Sequence, residues 1–251
     1  MSSAIYAAAA GAMLNQRRLE ILSNNLANIN SIGFKKDLAN LRIAESPKDV
    51  AESIRSLSLN GPAASAPIWV RLESRTAFQQ GQLKHTGNPF DLALEGEGFF
   101  VVETPSGNRY TRKGNFTRSA EGDLVTAEGH TVLGEGGPVR IDGRSFSVDE
   151  KGNVAVDNAE VDQLRIVNFT DGQQLRKIGD NLFAPANDGA TGQSAESVTV
   201  SQGFVELSNV DAVRTMTDMI DVLRGFESYQ KVIRAIDETN ARAINEVGRV
   251  G

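Results

Sequence analysis

Two histidines, a few glycine-rich turns and a scatter of carboxylates are what this chain offers for chemistry. Their spacing argues against most of it. His85 and His130 each lie beside a glycine-containing turn, and neither belongs to an HExxH or HxH arrangement that would bring two imidazoles to one metal. Gly96-Glu97-Gly98 and Gly134-Glu135-Gly136-Gly137 are flexible enough to approach a phosphate, but neither opens a helix after a strand in a βαβ unit. Asp149-Glu150-Lys151-Gly152-Asn153 has the acidic start of a calcium loop without its alternating oxygen ligands or distal glutamate, and a hairpin turn accounts for it. Ser145, Ser147 and Ser201 have no G-x-S-x-G context, and the absence of cysteine removes thiolate nucleophiles, thiolate metal sites and disulfides. The expectation is no catalytic residue, no metal and no cofactor. One enzyme reading survives, a carboxylate pair that converges in a cleft as in a glycan hydrolase.

Bulk composition narrows the partners. With 251 residues and 40% hydrophobic content the chain can bury a core, and 26 basic against 32 acidic residues give a net charge of -6 with no dense basic run. Nucleic acid is therefore not an expected ligand. The Ala-rich stretch from Ala4 to Leu14 has no basic residue before it, and Arg17 and Arg18 follow it, the reverse of a secretory signal. No run approaches the roughly 18 apolar residues of a bilayer span, so no membrane insertion is expected.

The elements at the two ends carry the strongest pattern. Ile5, Ala12, Leu19 and Leu26 at one heptad position, with Ala8, Asn15, Leu22 and Ile29 at the other, make a narrow apolar seam with little charge around it. At the far end Met219, Phe226, Ile233, Asn240 and Val247 alternate with Val222, Tyr229, Ile236, Ala243 and Val250. A helix from Asn209 to Gly248 would be about 60 Å long at ~1.5 Å per residue, longer than a compact domain of this size needs. Ser208 or Asn209 is a candidate N-cap, with Asp211 favourably placed near the positive helix end. Gly225 inside that helix predicts close approach of a neighbouring backbone. Asn15 and Asn240 are either buried register-setting polar groups or solvent-facing residues at a bend.

Between the ends the period changes. Gly33 is expected at positive φ after the first helix, with Phe34 packing back on it. Residues 44 to 68 hold Pro47, Gly61, Pro62 and Pro67 and read as a loop or linker, with a short helix expected at Val50 to Leu57. From Arg71 onward short apolar runs such as Phe99 to Val102 are separated by turns every seven to nine residues, the pattern of an antiparallel all-β unit. The expected fold is α+β: residues 1–40 and 206–251 as paired N- and C-terminal helices in a coiled-coil-like domain, 41–70 as a linker, and 71–205 as an inserted all-β domain.

Four blocks resemble one known family. Ser23-Asn24-Asn25-Leu26-Ala27-Asn28, followed by Ser31, Gly33, Phe34 and Lys35, is similar to the N-terminal signature of bacterial flagellar rod and hook proteins. Gly87 to Leu94 with Gly96, Gly98, Phe99 and Phe100; Tyr110-Thr111-Arg112 with Gly114, Asn115 and Phe116; and Gln202-Gly203 leading to Glu206, Ser208, Asn209 and Val210 resemble the same family in the same order. Leu175, Lys177 and Gly179, with the short middle region, resemble the proximal-rod type most; the distal-rod type is the close rival, and a hook-type axial subunit is a further alternative.

The resemblance implies a structural subunit, not an enzyme. It would pass unfolded through the flagellar type III export apparatus. It would then assemble with copies of itself and other rod subunits into a torque-transmitting tube in the basal body, across the periplasm. The residues expected at the assembly interface are Ile5, Leu19, Leu22, Leu26, Met219, Phe226, Ile233, Ile236 and Asn240 on the seam, with Asn24, Asn25 and Asn28 at the first helix end and Gly33 in the turn. The seam could instead be an intramolecular core, and the Asn cluster an export feature. A soluble binding module with terminal helices already folded in the monomer is the remaining alternative.

Overall fold

The computed structural model describes residues 2–43, 70–169, 175–187, 192–195 and 197–247. Most of the expected linker, and the short helix expected at Val50 to Leu57, lie outside the described residues. The fold is α+β: a helix at each end of the chain flanks a β-rich region. The chain divides into two compact units, one made of Met1–Leu26, Asp37–Arg75 and Ala212–Gly251, the other of Ala27–Lys36 and Thr76–Asp211. It therefore passes from unit to unit four times, after Leu26, Lys36, Arg75 and Asp211.

The helical unit contains α1 (Ser2–Ala27) and α2 (Ala212–Val247), with β1 (Asp37–Ile43) pairing with β2 (Val70–Thr76). On both helices the covered side recurs at three- and four-residue intervals. Ala8 and Ala12 of α1 and Thr215 and Val222 of α2 are buried, and the apolar seam positions between them are half-buried. Two glycines mark where the helices come close. A Cβ on Gly11 would lie 2.5 Å from the Tyr229 ring, and one on Gly225 would lie 2.7 Å from the Asn15 amide nitrogen. Gly225 does mark a close approach, but what approaches is the Asn15 side chain, not a backbone. α2 starts later than its candidate caps suggest, because Asn209 is engaged elsewhere and Asp211 directly precedes the first helical residue. Among the described residues no helix is long and apolar enough to cross a membrane.

The β unit holds the remaining strands: β3 (Leu83–His85), β4 (Leu92–Glu95), β5 (Phe99–Thr104), β6 (Gly107–Thr111), β7 (Thr117–Arg118), β8 (Leu124–Val125), β9 (Thr131–Val132), β10 (Phe146–Val148), β11 (Asn153–Val156), β12 (Ala159–Gln163), β13 (Ile166–Asn168), β14 (Leu175–Gly179), β15 (Leu182–Pro185), β16 (Gln193–Ser194), β17 (Thr199–Gln202) and β18 (Phe204–Glu206). Its largest sheet runs β14-β15-β6-β5-β9-β8-β7, with β13 joining β5 to β16. β10, β11 and β12 form a three-stranded antiparallel sheet, β17 pairs with β4, and β18 pairs with β3.

β5 is the hub. Phe100 and Val102 face a core containing Leu92, Leu124, Ile141 and Val154, while Phe99 and Val101 face a second core around Phe169, Leu175 and Phe183. A strand buried on both faces has no reason to alternate, and Phe99–Val102 is accordingly an unbroken apolar run. The calcium-like stretch is a turn, in which Asp149 Oδ1 accepts from the Lys151 and Asn153 amides at 2.9 and 2.8 Å and Gly152 takes φ +84°.

Candidate functional site: the terminal helices and the strap between them

Residues 31–36 leave α1 as a strap laid into the β unit. Ser31 donates to the Asn28 carboxamide at 3.0 Å and closes the turn after the helix. Gly33 has φ +68°, and a Cβ there would lie 2.5 Å from the backbone of Arg112 and Lys113, so both its dihedral and its surroundings demand glycine. The Gly33 amide donates to the Glu206 carbonyl at 2.7 Å, and the Asn181 side chain donates to the Ile32 carbonyl at 2.9 Å. Phe34 is buried within the β unit, not packed back on the helix as the turn pattern suggested. The Lys177 ammonium stands 4.2 Å above its ring and donates to the Lys35 carbonyl at 2.5 Å.

Lys35 is the centre of the strap. It is 1% exposed, and its ammonium donates to Glu206 Oε1 at 2.5 Å and to the Gln79 carbonyl at 2.9 Å. Glu206, also 1% exposed, accepts from the Gly81 amide at 2.7 Å and from Arg112 Nη1 at 3.4 Å. Arg112, 4% exposed, lies over the Phe99 ring and donates to the Leu94 and Gly96 carbonyls. Two buried cations thus share one carboxylate and a set of backbone carbonyls. Burial pushes the pKa of the Lys35 ammonium below its ordinary value against the opposing pull of Glu206, and burial lowers that of Arg112 in the same way.

Two asparagines hold consecutive backbone amides where the strap ends. Asn25 is buried, accepting from the Asp37 amide and donating to the Asp37 carbonyl, both at 2.8 Å, and so acts as a neighbouring strand would. Asn209 accepts from the Lys36 amide at 2.7 Å and donates to the Ala77 and Gln79 carbonyls at 2.8 Å. One Asn comes from each terminal block of the sequence. Asn28 is half-buried against Ser31 and Asn24 is exposed, so the predicted Asn cluster is split among three environments.

The seam residues Ile5, Leu19, Leu22, Leu26, Met219, Phe226, Ile233, Ile236 and Asn240 are all half-buried on the covered sides of α1 and α2, whereas Gly33 belongs to the strap. Sequence reasoning did not single out Lys35, Arg112 and Glu206 as a cluster, nor the apolar residues on the opposite helix faces: Tyr6 and Met13 of α1, and Val213, Met216, Ile220 and Leu223 of α2. The heptad count gave the signal for the latter, since these positions fall outside it yet are large and apolar.

Comparison with known proteins converges on one family. A profile described as flagella basal body rod protein matches residues 5–35, one described as the flagellar hook protein FlgE/F/G D1 domain matches 93–156, and one described as the flagellar basal body rod FlgEFG protein C-terminal matches 201–246. Lys35, Arg112 and Glu206 come one from each match. The chain is 33% identical to the flagellar basal-body rod protein FlgG of Bacillus subtilis over 98% of this chain and 99% of that one. It is 33% identical to the rod protein FlgF of Caulobacter vibrioides over the whole of both chains, and 33% identical to FlgF of Salmonella typhimurium over 97% of each. Matches of this identity over nearly the full length, ordered as the strap and helices order the fold, place the chain in the flagellar basal-body rod protein family.

Proposed function

We propose that this chain, a structural subunit of the flagellar basal-body rod, enters the rod through its terminal helices, which pair as a coiled coil and pack with those of neighbouring subunits. The observation that carries this reading is the contrast in burial. Among the described residues the helical unit buries only Ala8, Ala12 and Val222 of its apolar side chains and leaves its long seam half-covered. Such helices gain little from burial on their own, and ordering them costs about 1–2 kcal/mol per residue before tertiary contacts compensate. The proposed interface comprises the seam residues with Asn24, Asn25 and Asn28. The subunit has no catalytic role in this reading. It reaches the rod unfolded, through the type III export apparatus, and a strap held by reversible hydrogen bonds and ion pairs without disulfides suits that passage.

Within the rod we assign it to the proximal section, from the short middle region and the Leu175, Lys177, Gly179 pattern. Relatives named FlgF and FlgG match at the same 33% identity, so a distal position is the second reading. Sedimentation against concentration, with circular dichroism on the same samples, tests assembly: filaments with rising helicity are expected. A compact monomer of constant helicity at every concentration, even with a nucleating rod fragment present, would overturn it. Gold labelling of a tagged copy in isolated basal bodies separates the sections, since label at the hook-side end of the rod favours the distal one.

A further inference from the structure

Each terminal helix contains a single glycine, Gly11 in α1 and Gly225 in α2. Glycine weakens a helix interior, so its place there asks for a reason that propensity does not give. Here the reasons are reciprocal. A Cβ on Gly11 would lie 2.5, 2.5 and 3.0 Å from three atoms of the Tyr229 ring, and Tyr229 stands one turn after Gly225. A Cβ on Gly225 would lie 2.7 Å from the Asn15 amide nitrogen, and Asn15 stands one turn after Gly11. Each helix thus offers a notch and, one turn on, a knob for the notch of the other.

Both contacts belong to one antiparallel register. Extended along the helices, it sets Ala27, the end of α1, level with Val213 in the first turn of α2, so the pair is flush at that end. At the other end Ser2 is level with Glu238, and α2 continues through Thr239–Val247, roughly 13 Å at ~1.5 Å per residue. Sliding α1 by one heptad keeps apolar residues on the seam but destroys both fits. Tyr229 would then face Ala4 or Arg18 and Gly225 would face Ala8 or Leu22, each of which carries a Cβ.

We propose that Gly11 with Tyr229 and Asn15 with Gly225 are the register-determining contacts of the α1–α2 pair, selecting one heptad alignment from the several that the seam alone allows. This rests on the coiled-coil pairing of the rod-subunit reading and supplies what that pairing leaves open, because a repeating seam does not say where pairing starts. Asn15, polar on an otherwise apolar seam, belongs to the same device. In register its amide lies over a glycine, whereas a slip of one heptad carries it to Asp218 or Val232. Gly11 with Tyr229 is the stiffer contact, since a rigid ring brings three atoms to that notch while the Asn15 amide, at the end of its side chain, can shift aside. The alignment fixes how far α2 projects beyond α1. A slip of one heptad changes that projection by roughly 10 Å, and with it the length of paired helix each subunit brings to assembly.

The chain has no cysteine, so paired cysteines report the alignment within one full-length subunit. Leu22→Cys with Met219→Cys is level in this register to within one residue, and Leu22→Cys with Phe226→Cys comes level only after a slip of one heptad. Each pair is treated with a short bis-maleimide at concentrations below and above assembly, and the within-chain link is read from the mobility of the denatured chain. The first pair should link in clear excess over the second. Gly11→Leu should cut the yield of the first pair roughly tenfold, because an overpacked contact must repack, and adding Tyr229→Ala should restore it. Leucine and alanine are better helix formers than the residues they replace, so a role in helix stability alone predicts that each change by itself raises the yield. Equal linking of both pairs, an excess of the slipped pair, no loss with Gly11→Leu, or a loss that Tyr229→Ala does not restore overturns the register lock and leaves the pairing of the helices intact. No within-chain link from either pair at any concentration overturns both.

Discussion

The two units of this protein obey opposite rules of burial. In the β unit, Phe100, Val102, Leu92, Leu124, Val132 and Val139 are fully buried, and even the charges of Lys35, Glu206 and Arg112 are taken out of water and paired. In the helical unit the large side chains Tyr6, Met13, Val213, Met216, Ile220 and Leu223 stay in solvent, and the buried apolar residues are two alanines and a valine among those described. A self-sufficient core and an incomplete one sit on a single chain. The difference teaches where stability resides in the chain by itself: the β unit is the part expected to fold in the isolated subunit, and the helices are the part that, on the proposed function, neighbours would complete.

The sharpest way to break the comparison is at the buried ion cluster. Glu206→Ala leaves Lys35 and Arg112 without their carboxylate at sites 1% and 4% exposed, and truncating one partner of such a cluster costs about 3–5 kcal/mol. Urea unfolding of the β unit, followed by its near-ultraviolet signal, should move to a lower midpoint by that energy divided by the m-value. Replacing all three charges with apolar residues of similar volume should recover much of the loss, because the deficit comes from stranded charge and not from a missing contact. If Glu206→Ala left the midpoint unchanged, the β unit would not be the self-sufficient half.

A milder change sharpens the other side. Asn25→Ala removes both hydrogen bonds to the Asp37 backbone, each contributing about 0.5–1.5 kcal/mol. The effect should be confined to the helical unit. Amide exchange at Asp37–Ile43 should speed up while exchange in β5 and the urea midpoint of the β unit stay fixed. Equal loss of protection in both units would mean that they unfold as one.

How much of this could be read from the residues alone differs between the units for physical reasons. The seam of Ile5, Leu19, Leu22 and Leu26 is a local periodicity, and it lies on the covered side of α1. The Phe99–Val102 strand was equally plain, since an unbroken apolar run between turns has few other homes. The ion cluster was not plain. A lysine in a loop reads as solvated, and the carboxylate that claims Lys35 lies 171 positions along the chain. The same engagement misled the helix start, because Asn209 looked like a cap but is used by the Lys36 amide. Asp157-Asn158 and Asp180-Asn181 were overlooked as hairpin turns. All four residues take positive φ, between 50° and 67°, where Asp and Asn are the non-glycine residues that fit with least strain.

One of those turns supplies the finest probe of the β unit. Asp157 Oδ1 accepts from the Ser145 amide at 2.9 Å and the Arg144 amide at 3.0 Å, and these bonds hold its pKa below the ordinary 3.8. A carboxylate whose pKa is lower in the fold binds fewer protons there than in the unfolded chain. Its contribution is therefore complete above the ordinary carboxylate value and is lost as pH falls through the depressed one. Asp157→Asn keeps an acceptor oxygen and a residue that tolerates positive φ, so stability at neutral pH should change little. What should change is the slope: between the ordinary value and the depressed one, the wild-type midpoint falls faster with acid than that of the variant. The side chain is fully exposed, so the difference is small and calls for paired urea titrations at closely spaced pH. Identical slopes would mean that this turn contributes nothing to the acid sensitivity of the β unit, and that its sensitivity lies with the other paired carboxylates, Asp149 and Glu128, whose pKa values are also lowered.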